Sequence, residues 1–155
     1  MELVEQLSIK LKERGLMLAT AESCTGGMIA AAMTERAGSS SVFERGFVTY
    51  SNDSKMELLG VSAATIDKFG AVSAETAEAM ALGALKFSRA HITVSVTGIA
   101  GPSGGTDEKP VGLVYIGWGT RDNIQVKEHH FKGDRAAVRQ QTTAAALKHL
   151  LDFLK

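Results

Sequence analysis

The chain has one cysteine, Cys24, so it can close no internal disulfide and cannot cage zinc with cysteines. That scarcity suits a reducing compartment. Only two prolines occur, Pro102 and Pro110, and no Pro/Ser linker, charge block or low-complexity tract divides the 155 residues. Charge of one sign is also missing: 17 basic side chains balance 17 acidic ones, for a formal net charge of zero. A protein whose main business is coating nucleic acid needs a basic surplus to neutralise phosphates, so the balance argues against that class, although not against a local pocket for one phosphate. No apolar run approaches the length of a membrane span or a signal peptide, and Met1 to Gly15 is charged and amphipathic. The expectation is a soluble cytoplasmic protein with no membrane or nucleic-acid partner. Its oligomeric state is left open, a homo-oligomer included.

What is present is ordinary globular material, 45% apolar and 22% charged, enough for one domain over residues 1–155 with a sizeable core. Val4, Leu7 and Leu11 predict an amphipathic helix ending near Gly15. Leu16 to Thr20 reads as a buried strand, Met28 to Arg36 as a helix stopped by Gly38, and Val42 to Tyr50 as a strand. Asn52 or Asp53 can cap a short helix through Leu59, closed by Gly60. Ser62 can cap another, closed by Gly70, and Ser73 a long one to about Ala90, with Ala77, Met80, Ala81, Ala84 and Leu85 on its apolar stripe. His91 to Val96 is rich in β-branched residues and reads as a strand. Val111 to Gly119 and Ile124 to Phe131 form a hairpin around Thr120 to Asn123, and Gly133-Asp134 opens a last helix. Helices alternating with single strands, then a hairpin, predict a three-layer α/β/α sandwich with a mixed central sheet.

Ligands in such folds gather at the carboxyl ends of strands. Two glycine-bearing loops fall there, Ser23 to Gly27 and Thr97 to Gly105. Gly26-Gly27 leading into a helix offers bare N–H groups to an anion or oxyanion, with Ser23 on the turn where a nucleophile can project. Spacing alone favours a plainer reading, in which Ser23 and Thr25 only cap the helix. The second loop is neither a Walker loop, lacking Gly-Lys-Ser/Thr, nor a dinucleotide fingerprint, since Gly98-x-x-Gly101 is misspaced and no helix follows. It can equally be a pocket wall or a flexible connection.

Tyr50 and Lys55 stand five apart at a strand end and a helix's first turn. A lysine there is ordinarily a solvated surface group; folded into an apolar cleft it would lose basicity and become a general base. Cys24 has no nearby histidine to activate it and reads as core. His129 and His130, adjacent on a strand, point to opposite faces and cannot share a metal. Nothing at ligand spacing elsewhere favours a metal enzyme. Arg135 and Arg139, at i and i+4, form either a solvated face or a clamp for phosphate or carboxylate.

Five stretches in order carry a resemblance. They are Ala21-Glu22-Ser23-Cys24-Thr25-Gly26-Gly27, then Gly46-Phe47-Val48-Thr49-Tyr50-Ser51-Asn52 with Lys55, then Gly70-Ala71-Val72-Ser73. Thr97-Gly98-Ile99-Ala100-Gly101-Pro102 and Gly133-Asp134-Arg135 complete the set. Over nearly its whole length the chain resembles the C-terminal domain of the competence/damage-inducible protein CinA, whose stand-alone members are nicotinamide-nucleotide amidases. The separate N-terminal domain of some relatives has no room in 155 residues. The resemblance implies hydrolysis of the carboxamide of nicotinamide mononucleotide, a small-molecule nucleotide, to nicotinate mononucleotide and ammonia in pyridine-nucleotide recycling. It implies Ser23 as nucleophile, Lys55 as base and Tyr50 as a supporting group that could hold the amine or relay a proton, with no metal or organic cofactor. N–H groups at Thr25, Gly26 and Gly27 would then hold the oxyanion. Phosphate would fall to Arg135, Arg139 and the loop carrying Thr97, Gly98, Ala100 and Gly101. The alternatives are a non-catalytic nucleotide-binding or regulatory domain, and an amidase for another small amide.

Overall fold

A computed structural model describes residues 2–155. Its centre is a five-stranded sheet in the order β2-β1-β3-β4-β5, built from β1 (Leu18–Glu22), β2 (Phe43–Val48), β3 (Ile92–Gly98), β4 (Leu113–Thr120) and β5 (Asn123–His130). β1 runs parallel to β2 and β3, whereas β3, β4 and β5 pair antiparallel, so the sheet is mixed as the element order predicts. The helices are α1 (Glu2–Arg14), α2 (Met28–Thr34), α3 (Asn52–Leu59), α4 (Ala63–Phe69), α5 (Ala74–Lys86) and α6 (Arg135–Phe153). α1, α2 and α6 pack together on one face of the sheet, and α3 and α4 pack on α5 against the other. The three-layer sandwich follows.

Burial explains why the sheet reads as it does. β1 and β3 are covered on both faces and carry almost continuous buried side chains. β5, at an edge, alternates in exposure along most of its length, with period two. On the α1/α6 face, Leu7, Leu11, Ile92, Val94, Ile116 and Leu150 form the larger apolar core. On the α5 face, Ala19, Ala21, Leu59, Met80 and Ala84 form a smaller one. Small residues there let α5 approach the sheet closely.

Element ends differ from the sequence reading for local reasons. β1 starts at Leu18 and runs on to Glu22, because Leu16 still closes α1 by donating to the carbonyl of Leu11. α2 stops at Thr34, and a 3₁₀ turn over Ser39–Ser41 occupies the next stretch. α5 stops at Lys86 and leaves Phe87 as its non-helical cap. The cap of α3 is Ser51, whose Oγ accepts from the N–H of Ser54, and not Asn52 or Asp53, which are already helical. Ser62, Ser73 and Asp134 cap as predicted.

One glycine sets the position of α3. A Cβ at Gly83 of α5 would lie 2.0 Å from the carbonyl oxygen of Leu59, the last residue of α3. Backbone cannot yield as a side chain can, so Gly83→Ala is expected to cost about 1–3 kcal/mol of stability, as overpacking typically does. Denaturant titration of the two proteins checks it. A loss below 0.5 kcal/mol, the usual range for surface changes, would mean that the helices slide apart without strain.

Candidate active site

The parallel strands β1 and β3 lie side by side, and their onward connections leave in opposite directions, toward β2 and toward β4. A crevice opens outside their carboxyl ends, as it does at switch points of α/β sheets. Here it is a cleft of about 270 Å³ whose lining includes Ser23, Tyr50, Lys55, Thr97, Gly101 and Arg135. Four of the five family-like stretches, distant in sequence, therefore contribute to one concavity, and Ala71 and Val72 bring the fifth.

Lys55 is the central finding. The sequence favours a surface group, yet the side chain is only 2% exposed, because α3 is drawn under the end of β2 by the packing of Leu59. Its Nζ lies 3.1 Å from Ser23 Oγ, 3.1 Å from the Thr49 carbonyl and 3.4 Å from the Tyr50 carbonyl. Among the described residues no Asp or Glu pairs with it. Burial therefore lowers its pKa from the ordinary lysine value, and the neighbouring Cys24 opposes this only in part. A neutral amine has two N–H groups and one lone pair. Two carbonyls can take the N–H groups, which leaves the lone pair toward the serine hydroxyl.

The plain capping reading of Ser23 and Thr25 is overturned. The N-cap of α2 is Gly27, in a left-handed conformation and with no side-chain cap. The carboxylate of Glu22 does that work instead: Oε1 accepts from Thr25 Oγ1 at 2.6 Å and Ile29 N at 2.9 Å, and Oε2 accepts from Ala30 N at 3.0 Å. Sequence reasoning gave Glu22 no role. The only available signal was a carboxylate closing an apolar strand just before a helix.

The oxyanion expectation narrows too. Thr25, Gly26 and Gly27 stand outside the cleft lining, and the Gly26 N–H already donates to the Ser23 carbonyl. Thr25 is turned inward to Glu22. Cys24 does line the cleft, and among the described residues no protein oxygen takes its N–H.

Tyr50 does not hold the amine with its phenol. Its side chain is 60% exposed at the cleft mouth, and its hydroxyl accepts from Arg135 Nη2 at 2.8 Å, so only its backbone carbonyl meets Lys55. The two arginines part company. Arg135 lines the cleft and donates to the Gly101 carbonyl at 2.8 Å. Arg139 instead points inward and donates to the carbonyls of Cys24 (3.0 Å) and Thr25 (3.3 Å), so it braces the serine turn. One helical turn decides this: Arg135 starts α6 at the rim, and Arg139 lies beneath the turn.

The Thr97 to Gly105 loop is a wall of the cleft. Thr97 donates its hydroxyl to the Ala71 carbonyl, Ala100 is buried, and Ile99 is tied to Leu113 through the backbone. Gly98 has no room for a Cβ, which would meet Val114 at 2.6 Å. Ser103 and Gly104 face the cleft, and no protein acceptor takes their N–H groups among the described residues.

Other chemistry lies elsewhere. Cys24 is buried, which pushes its thiol up to about 11 and keeps it from acting as a nucleophile near neutrality. His129 meets His149 with Nε2 atoms 2.9 Å apart, while His130 turns to Glu128, so the two neighbours do diverge. Among the described residues no three His, Cys, Asp or Glu side chains converge at ligand spacing. No helix there is long and apolar enough to cross a membrane.

Fold and cleft thus define an α/β sandwich protein with a serine and a buried lysine in contact at its switch point. Residues 1–154 match the CinA C-terminal domain family, and the chain belongs to that family. It is 52% identical over 151 residues to the nicotinamide-nucleotide amidohydrolase PncC of Escherichia coli, covering 97% of this chain and 92% of that protein. It is 51% identical to a CinA-like protein of Citrifermentans bemidjiense, covering 99% of this chain but 37% of that longer protein. Among solved structures, the competence/damage inducible protein CihA of Agrobacterium tumefaciens superposes with a TM-score of 0.97 at 49% identity. The match covers 99% of this chain and 94% of that one.

Proposed function

We propose that this protein is an amidohydrolase that converts nicotinamide mononucleotide to nicotinate mononucleotide and ammonia, with Ser23 as nucleophile and Lys55 as general base. Relatives named for nicotinamide-nucleotide amidohydrolysis support the reaction class. The observation that carries the mechanism is the buried Lys55 amine, paired with no acid among the described residues and 3.1 Å from Ser23 Oγ.

The steps follow from what each group can donate or accept. Ser23 Oγ attacks the carboxamide carbon while its proton passes to the Lys55 lone pair. The carbonyl oxygen becomes an oxyanion, for which the Cys24 N–H, on the nucleophile's own turn and at the cleft, is the donor we assign. Lys55, now an ammonium, returns the proton to the amide nitrogen; the C–N bond breaks and ammonia leaves. Water then attacks the acyl-serine, Lys55 takes its proton, and the C–O bond to Ser23 breaks as that proton returns to Oγ. The new carboxylic acid departs, gives its proton to solvent to become nicotinate, and the enzyme is restored. Protons balance with no redox partner. Ammonia release from the mononucleotide, assayed beside free nicotinamide and the dinucleotide, tests the reading; no release from any of the three sinks it.

The substrate's phosphate lies several bonds from the amide, so it needs a separate anchor. Arg135 has five N–H donors and uses one on Gly101 and one on Tyr50, which leaves others for an anion. Arg135→Ala is expected to raise KM for the mononucleotide about ten-fold or more, since a charge-assisted bond is worth roughly 1.5–3 kcal/mol, and to spare any activity on free nicotinamide. Arg139→Ala should instead lower kcat on both, through the serine turn. Equal effects of Arg135→Ala on both substrates would move the phosphate elsewhere.

A further inference from the structure

We infer that Glu22 is a positioning residue for the reaction, setting the distance between Ser23 and Lys55 without touching substrate. The role rests on the proposed serine mechanism. Both partners of the pair hang from this one residue. Its side chain gathers Thr25 Oγ1 and the N–H groups of Ile29 and Ala30, which forces residues 23–27 into the tight turn that presents Ser23. Its backbone carbonyl accepts from Thr49 N at 2.8 Å, and the Thr49 carbonyl in turn accepts from Lys55 Nζ. Strand, nucleophile turn and base are thereby referenced to a single point.

Glu22 is 1% exposed, and its oxygens are taken up by these three donors. Burying a carboxylate is expensive, and a Ser or Asp cap on α2 would hold the helix start more simply. What those shorter caps cannot do is reach from the end of β1 across five residues to the second and third N–H groups of α2. The long side chain spans the turn and locks it. It also stands outside the cleft lining, so its effect must travel through Ser23.

Glutamine has the right shape but the wrong chemistry, because its NH₂ would face an N–H donor where an oxygen now accepts. Glu22→Gln is therefore expected to lower kcat about 100-fold, the scale of a small misplacement of reacting groups, with KM for the mononucleotide unchanged. The midpoint of the pH–rate profile should stay at its wild-type value, since Lys55 keeps its surroundings. A substrate-independent readout is the rate at which a fluorophosphonate modifies Ser23, located by mass spectrometry, with fluoride leaving and the serine proton passing to Lys55. That rate should fall in parallel with kcat. If Glu22→Gln does not fold, Thr25→Val removes one of the three donors at constant volume and should slow modification about ten-fold. Modification at the wild-type rate in a folded Glu22→Gln protein, or in Thr25→Val if the first is unfolded, overturns the role. So does a rate loss wholly explained by a displaced pH midpoint, which would make Glu22 an electrostatic group. Wild-type protein left unmodified at Ser23, by contrast, sinks the nucleophile itself.

Discussion

Ser23→Ala and Lys55→Ala should each lower turnover of nicotinamide mononucleotide by about three orders of magnitude or more, and the double variant should be scarcely worse than either. A serine hydroxyl with no base to receive its proton is a poor nucleophile, and a base with no hydroxyl before it has nothing to activate. Losses in one working unit do not multiply. The amine's place 3.1 Å from the hydroxyl, with two carbonyls fixing its direction, is the geometry the proposed unit requires. Single-turnover measurement of ammonia release on the three variants decides the matter. Multiplied losses, or a Lys55→Ala enzyme near the wild-type rate, would assign the proton to another group.

Below the pKa of Lys55 the rate is expected to fall about ten-fold per pH unit, and above it to level off, because only the neutral amine can accept the serine proton. Burial sets that midpoint below the ordinary lysine value of 10.5. The same shift bears on stability. Between the lowered native pKa and 10.5 the unfolded chain binds the proton and the native state does not, so stability rises with pH across that window. Below the native pKa the full penalty of a buried ammonium applies. Lys55→Met, a neutral side chain of similar length, should therefore raise the melting temperature at neutral pH while abolishing turnover, the exchange of stability for function that strained sites show. A rate flat from mildly acidic to strongly basic pH would count against a lysine base, and a Lys55→Met protein melting below wild type would mean that the amine is not held against its preference.

Arg139 and Tyr50 show where motif reading stops. Both lie in or beside stretches that resemble the family, and both reach the region of the cleft. Their side chains do different work from that expected: Arg139 braces the serine turn from beneath, and the Tyr50 phenol meets Arg135 at the rim. Spacing on a helix says that Arg135 and Arg139 share a face, but the height of α6 against the turn decides which of them meets solvent. Glu22 was invisible for a related reason. A carboxylate's role depends on the donors around it, and Ile29 and Ala30 turn their N–H groups toward it only after α2 has formed.

Local chemistry was legible from the residues alone. Val4, Leu7 and Leu11 repeat with the helical period, Ser62, Ser73 and Asp134 can satisfy helix N–H groups, and Ile92 to Val96, rich in β-branched residues, prefers a pleated strand. Their alternation defines the α/β class, and the motifs defined the family. Whether Lys55 is solvated or buried was not legible, because local sequence carries both readings and favours the first. Tertiary structure decided it: Gly83 lets α5 close on the end of α3, Leu59 enters the core, and Lys55 is carried under β2 to Ser23. A pKa depends on solvent and charge at a point in space, and that point exists only once distant segments have packed.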